Sequence, residues 1–123
     1  MSHVVTVKTQ VRDAAGVSAA CHRLGLAAPV HQTVKLYSGT ATGLTVRLPD
    51  WQYPVVIDTA SGEVRYDNFG GRWGEQKHLD AFLQAYAVEK VKAESRRKGH
   101  TVTERALEDG SIKLTVQVQG GAA

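Results

Sequence analysis

Apolar and polar residues alternate over 4–11, with Val5, Val7 and Val11 on one side and Thr6, Lys8 and Gln10 on the other. A period of two predicts a strand with one wet face. Asp13 then stands as an N-cap, its carboxylate placed to accept from the free N–H groups of a first helical turn. Val17, Ala20, Cys21 and Leu24 recur at i, i+3, i+4, i+7, the apolar stripe of a short helix. Gly25 is positioned to end that helix in the left-handed conformation, Leu26 supplies the apolar contact after the cap, and Pro29 bars continuation.

The middle of the chain reads as short strands at even spacing. Val34 and Leu36 alternate with Lys35 and Tyr37, and Ser38-Gly39-Thr40 supplies a turn. Leu44, Val46 and Leu48 alternate with Thr45 and Arg47 until Pro49-Asp50 breaks the pattern. Pro54 opens a strand over 55–58, and Val64 and Tyr66 lie in the next. Ala60-Ser61-Gly62 joins those two, with glycine where a positive φ is needed. Asp58 and Asp67 fall on the polar side of these strands, where solvated carboxylates are expected.

Asn68 to Gly74 forms a glycine-rich joint before the longest element, a helix predicted over 75–98 and stopped by Gly99. Leu79, Phe82, Leu83 and Tyr86 form its buried stripe, while Val88 and Val91 sit off it. Strands over 101–107 and 112–118, joined by Glu108-Asp109-Gly110-Ser111, complete the chain, and residues 120–123 are expected to be a disordered tail. The order is β-α-β-β-β-β-α-β-β over a single domain, 1–119. Runs of strands with two separated helices predict an α+β fold, one antiparallel sheet with both helices packed on one face.

Composition changes this picture little. Of 123 residues, 42% are hydrophobic and 22% charged, ordinary for a globular chain. A lone cysteine excludes an internal disulfide and a cysteine-based zinc site, and Cys21 is expected in the core. No apolar run approaches the roughly 20 residues of a membrane span, and the opening residues lack a secretory pattern, so a cytoplasmic location is expected. His3, His22, His31, His78 and His100 show no metal-ligand spacing, and no nucleophile motif or singled-out carboxylate pair is present. A non-enzymatic protein without cofactors or metals is therefore expected.

Charge is more telling. The net charge is +3, yet Lys90, Lys92, Arg96, Arg97 and Lys98 face only Glu94 within 90–98. A helix C-terminus favours cations, but five in so short a stretch also repel one another. An acidic partner surface would relieve that repulsion, and weak binding of nucleic acid is the competing reading. At the Gly70–Gly74 joint, free N–H groups with Arg72 could hold an anion; the alternative is a sharp turn with Trp73 packed beneath. Trp51, Tyr53, Tyr66, Phe69 and Trp73 gather in the middle third. Trp51, Tyr53 and Phe69 are candidates for an aromatic surface, because aromatics with arginines nearby are the usual anchors of protein interfaces.

Three segments carry a resemblance: residues 2–13 (Ser-His-Val-Val-Thr-Val-Lys-Thr-Gln-Val-Arg-Asp), residues 79–87 (Leu-Asp-Ala-Phe-Leu-Gln-Ala-Tyr-Ala) and residues 109–116 (Asp-Gly-Ser-Ile-Lys-Leu-Thr-Val). In this order they resemble the family known from algal plastid genomes as conserved hypothetical reading frame thirty-five, with relatives in cyanobacteria and other bacteria. The stretch from Trp51 to Trp73 matches it less clearly. The resemblance implies no catalytic residues. It does imply an accessory role, because bacterial genes of the family are sometimes found beside one for an AAA-type ATPase. The expectation is an interaction domain acting through a protein partner.

Overall fold

A computed structural model describes residues 5–7, 10–37 and 39–118. Residues 120–123, expected as a tail, lie outside the described residues. The elements are β1 (Val5–Val7), α1 (Ala14–Arg23), β2 (Val30–Leu36), β3 (Gly39–Val46), β4 (Val55–Asp58), β5 (Glu63–Tyr66), a 3-10 turn (Phe69–Gly71), α2 (Gln76–Arg97), β6 (Thr101–Ala106) and β7 (Ile112–Gln117). The fold is α+β in the expected order. Its contacts gather into two compact units, Met1–Tyr86 and Ala87–Ala123. No helix among the described residues is long and apolar enough to cross a membrane.

Local signals set the helix ends. The Asp13 side chain accepts from the Ala15 N–H at 3.0 Å, capping α1. At the other end Gly25, at φ 71°, lets its own N–H reach the His22 carbonyl and the Leu26 N–H reach that of Cys21. The last turn of α2 repeats this: Gly99 donates to Arg96 and His100 to Ser95. Both closures are Schellman motifs, which satisfy carbonyls a helix end otherwise leaves without partners.

In the first unit the sheet order is β1-β5-β4-β3-β2, with every neighbouring pair antiparallel. Val46, Val55, Ile57 and Val64 pack with Val17 and Cys21 of α1 and with Leu79, Phe82 and Tyr86 of α2 in one core. Both helices thus contribute to a single core with this sheet. The Tyr86 hydroxyl oxygen accepts from the Asp13 N–H at 3.1 Å, tying the start of α1 to α2. Leu83 of the expected stripe is only partly buried, and Ala85 is buried. A smaller cluster of Leu36, Ala41 and Val56, with Val34 and Tyr53 against it, contains the β4 residue of opposite parity to Val55 and Ile57.

The strands expected in one sheet divide between two. Among the described residues β6 and β7 pair only with each other, from Thr101↔Gln117 to Ala106↔Ile112. Their loop favours this local closure. Asp109 accepts from the Ser111 N–H at 3.0 Å and from its hydroxyl at 2.6 Å, and these bonds hold its carboxyl below the usual range. Val102 is the one large apolar residue in β6, so this strand has little to gain from a place in the main core. In the same unit Val88 and Ser95 of α2 are buried, and Lys92 between them bonds Glu104 of β6 at 3.0 Å. Val88, Lys92 and Ser95 follow the i, i+4, i+7 spacing, so Val88 begins a second stripe, while Val91 is exposed.

Asp67 departs from the expected solvated carboxylate. It is buried directly after β5, where the chain leaves the sheet. Asp58 is half-buried and caps the loop by accepting from the Ala60 N–H at 3.0 Å.

Two outcomes are expected. Phe82 is fully buried, so Phe82→Ala should lower stability by about 3–5 kcal/mol in urea unfolding. Burial also pushes the Cys21 thiol up and so reduces its thiolate fraction. Cys21 should therefore react slowly with an aromatic disulfide in the native protein and fast in denaturant; equal rates would show an accessible thiol.

Candidate functional site

The joint between β5 and α2 is organised by Asn68, which is buried. Its carbonyl accepts from the N–H groups of Gly71 at 3.0 Å and Trp73 at 2.9 Å, and its side-chain amide donates to the Gly74 carbonyl at 3.1 Å. Gly70 and Gly71 both hold positive φ, which the turn requires. The Arg72 N–H donates to the Phe69 carbonyl at 3.1 Å. Three backbone donors proposed for an anion, those of Gly71, Arg72 and Trp73, are therefore engaged within the loop. The turn reading accounts for the glycines.

Trp51 and Trp73 take opposite roles. Trp51, expected at the surface, is 8% exposed and belongs to the core. Its indole lies directly against Gly74, where any side-chain carbon would collide with the ring. Its ring N–H donates to the Glu75 carbonyl at 3.0 Å, and it meets Tyr66 edge-on at 5.6 Å between centroids. Burial of an indole with its polar atom satisfied is stabilising, which corrects the surface assignment.

Trp73 is half-buried and is the hub of a second group. Its ring centroid lies 4.8 Å from Phe69, 5.1 Å from Tyr37 and 5.6 Å from Tyr53. The Arg72 guanidinium sits 5.1 Å above the Phe69 ring, a cation–π distance. Tyr53 and Phe69 are half-buried, Arg72 is exposed and Tyr37 is 56% exposed. Beside this group an open groove of about 440 Å³ is lined by Lys35, Leu36, Tyr37 and Tyr53. Four aromatic rings, an arginine and a lysine-rimmed groove thus form one partly wet surface.

Tyr37 and Lys35 were not among the residues expected here. Strand alternation assigns Tyr37 to a polar face, and its contact with Trp73 joins residues far apart in sequence. An aromatic residue on the wet side of a strand, just before a turn, is the signal that was available.

The basic helix end is less free than its sequence suggests. Lys92 is half-buried and lies 3.6 Å from Glu89 and 3.0 Å from Glu104. Glu89 falls just outside the charged stretch and Glu104 comes from β6, so neither entered the local charge balance. Lys90 is half-buried, whereas Arg96, Arg97 and Lys98 are exposed at the last turn and cap of α2.

Among the described residues no group of three or more His, Cys, Asp or Glu converges as a metal site. No curated protein and no solved structure matches the chain. A family match covers residues 20–115, from the second half of α1 into β7 and including the whole aromatic surface. With most of its length matched, the chain belongs to the DUF1257 family, a family of proteins of unknown function.

Proposed function

We propose that this protein is a non-catalytic interaction domain that holds a protein partner on the surface centred on Trp73. The observation behind this reading is the Tyr37–Tyr53–Phe69–Trp73 group, which keeps partial exposure and carries Arg72 on its edge. Tryptophan, tyrosine and arginine in one cluster are the residues most often found to dominate interface energetics. Interfaces of this kind lose water from rigid rings at small entropic cost. Kinship with the plastid reading-frame family would make the partner part of an AAA-type ATPase system, which fits an accessory protein in the cytoplasm.

The exposed Arg96, Arg97 and Lys98 support an acidic surface on that partner, and they also suit weak nucleic-acid binding. The two readings differ in salt dependence. Phosphate contacts give a steep loss of affinity with salt and no sequence preference. A protein contact through a few surface charges loses mainly association rate.

The test is capture of the native partner from cell extract by the purified protein, followed by affinity measurement with that partner. Trp73→Ala should weaken binding about thirtyfold, corresponding to about 2 kcal/mol. Tyr37→Ser, at a residue 56% exposed, should weaken binding while lowering stability by no more than about 1.5 kcal/mol, the order of one aromatic contact. Arg96→Glu with Lys98→Glu should flatten the salt dependence. If Trp73→Ala and Tyr37→Ser bind as tightly as the parent, the aromatic surface is not the interface.

A further inference from the structure

β2 ends the five-stranded sheet, so one side of its backbone faces away from β3. In an antiparallel pair alternate residues turn their N–H and C=O groups to the neighbour, leaving the other set directed outward. Open edges are commonly blunted by shortness, bulges, proline or several charges. β2 has little of this. It runs for seven residues, all of them in register with β3 from Val30↔Thr45 to Leu36↔Gly39, and contains no proline and a single lysine. Its residues are exposed except for Val34 and Leu36, and Val30 is 53% exposed.

This edge leads into the aromatic surface. Leu36 and Tyr37, at the end of β2, line the groove with Lys35 and Tyr53, and Tyr37 packs on Trp73. Among the described residues Lys35 is the only charged one lining that groove. Arg72 is the second cation nearby, lying over Phe69. Among the described residues neither cation makes an ion pair. An occupant that continues the sheet would offer backbone groups to β2, apolar side chains beside Val30 and Val34, and negative charge to Lys35 and Arg72.

We propose that β2 accepts an added β-strand, an extended segment of the partner protein with apolar residues at alternate positions and at least one carboxylate. The proposal rests on the interaction reading above and specifies its mode. Main-chain bonds supply affinity in strand addition, and pockets for alternate side chains supply specificity. Here the groove beside Tyr37 would take one apolar side chain, with Trp73 behind it. The carboxylate would fix register against Lys35.

The test selects peptides from a displayed random library on the intact protein and synthesises the consensus peptide. The consensus should alternate apolar residues and contain Asp or Glu. With that peptide saturating, every second amide over 30–36 should exchange more slowly by about tenfold or more in two-dimensional NMR. Lys35→Glu should weaken the peptide by about tenfold at low salt and less at high salt. The selection and exchange readouts use the parent protein, so only the Lys35→Glu arm needs a β2 variant, and that at an exposed side chain. No enriched peptide, a consensus without a carboxylate, or unchanged exchange along β2 would overturn strand addition. A peptide-free dimer in sedimentation with the same alternate protection would also overturn it, because a second copy would then occupy the edge. If Trp73→Ala releases the native partner while β2 exchange is unaffected by that partner, strand addition fails and the interaction reading stands.

Discussion

The contact between the Trp51 indole and the bare Cα of Gly74 sets the course of the chain between the sheet and α2. A ring of this size needs a flat apolar surface and a partner for its N–H. Gly74 offers the first and the Glu75 carbonyl the second. The Trp73 carbonyl adds to this by accepting from the Gln52 N–H at 2.8 Å, so the segment around Trp51 and the end of the joint are bonded along their backbones. With residues 74 and 75 held, Asn68 closes the loop from the other side. Trp73, the residue before Gly74, joins Phe69, Tyr53 and Tyr37 in the partly exposed aromatic group.

α2 carries two different sets of buried residues. Leu79, Phe82 and Tyr86 belong to the core of the first unit, and Val88 and Ser95 are buried in the second. The register of burial changes where the units divide. A two-stranded hairpin is marginal in water by itself, and the ion pair from Lys92 to Glu104 is partly shielded, with both side chains about 30% exposed. The second unit combines this hairpin with the C-terminal turns of α2. Its charges serve internal pairing as well as the surface.

Much of the fold was legible because its signals are local. Asp13, Gly25 and Gly99 mark helix ends through φ preference and short-range hydrogen bonds. Gly62 and Gly110 mark tight loops in the same way. The division into two sheets was not legible, since alternation specifies that a residue lies on a strand and not which strand lies beside it. The candidate site was half legible for a similar reason. Its aromatic composition is visible in the middle third, but Trp51 and Trp73 look alike until Gly74 is placed against one of them. The contacts of Tyr37 with Trp73 and of Glu104 with Lys92 join residues apart in sequence, which no local period encodes.

The two tryptophans give the chain a pair of optical reporters in unlike surroundings. The indole of Trp51 is enclosed, with its N–H held by a backbone carbonyl. That of Trp73 is half-buried and meets phenol and benzyl rings at tilted or edge-on angles. Emission from the first follows the integrity of the core, and a water-soluble quencher reaches the second more readily. The native fluorescence of this protein is therefore a sum of two signals, one tied to folding and the other to whatever approaches the aromatic surface.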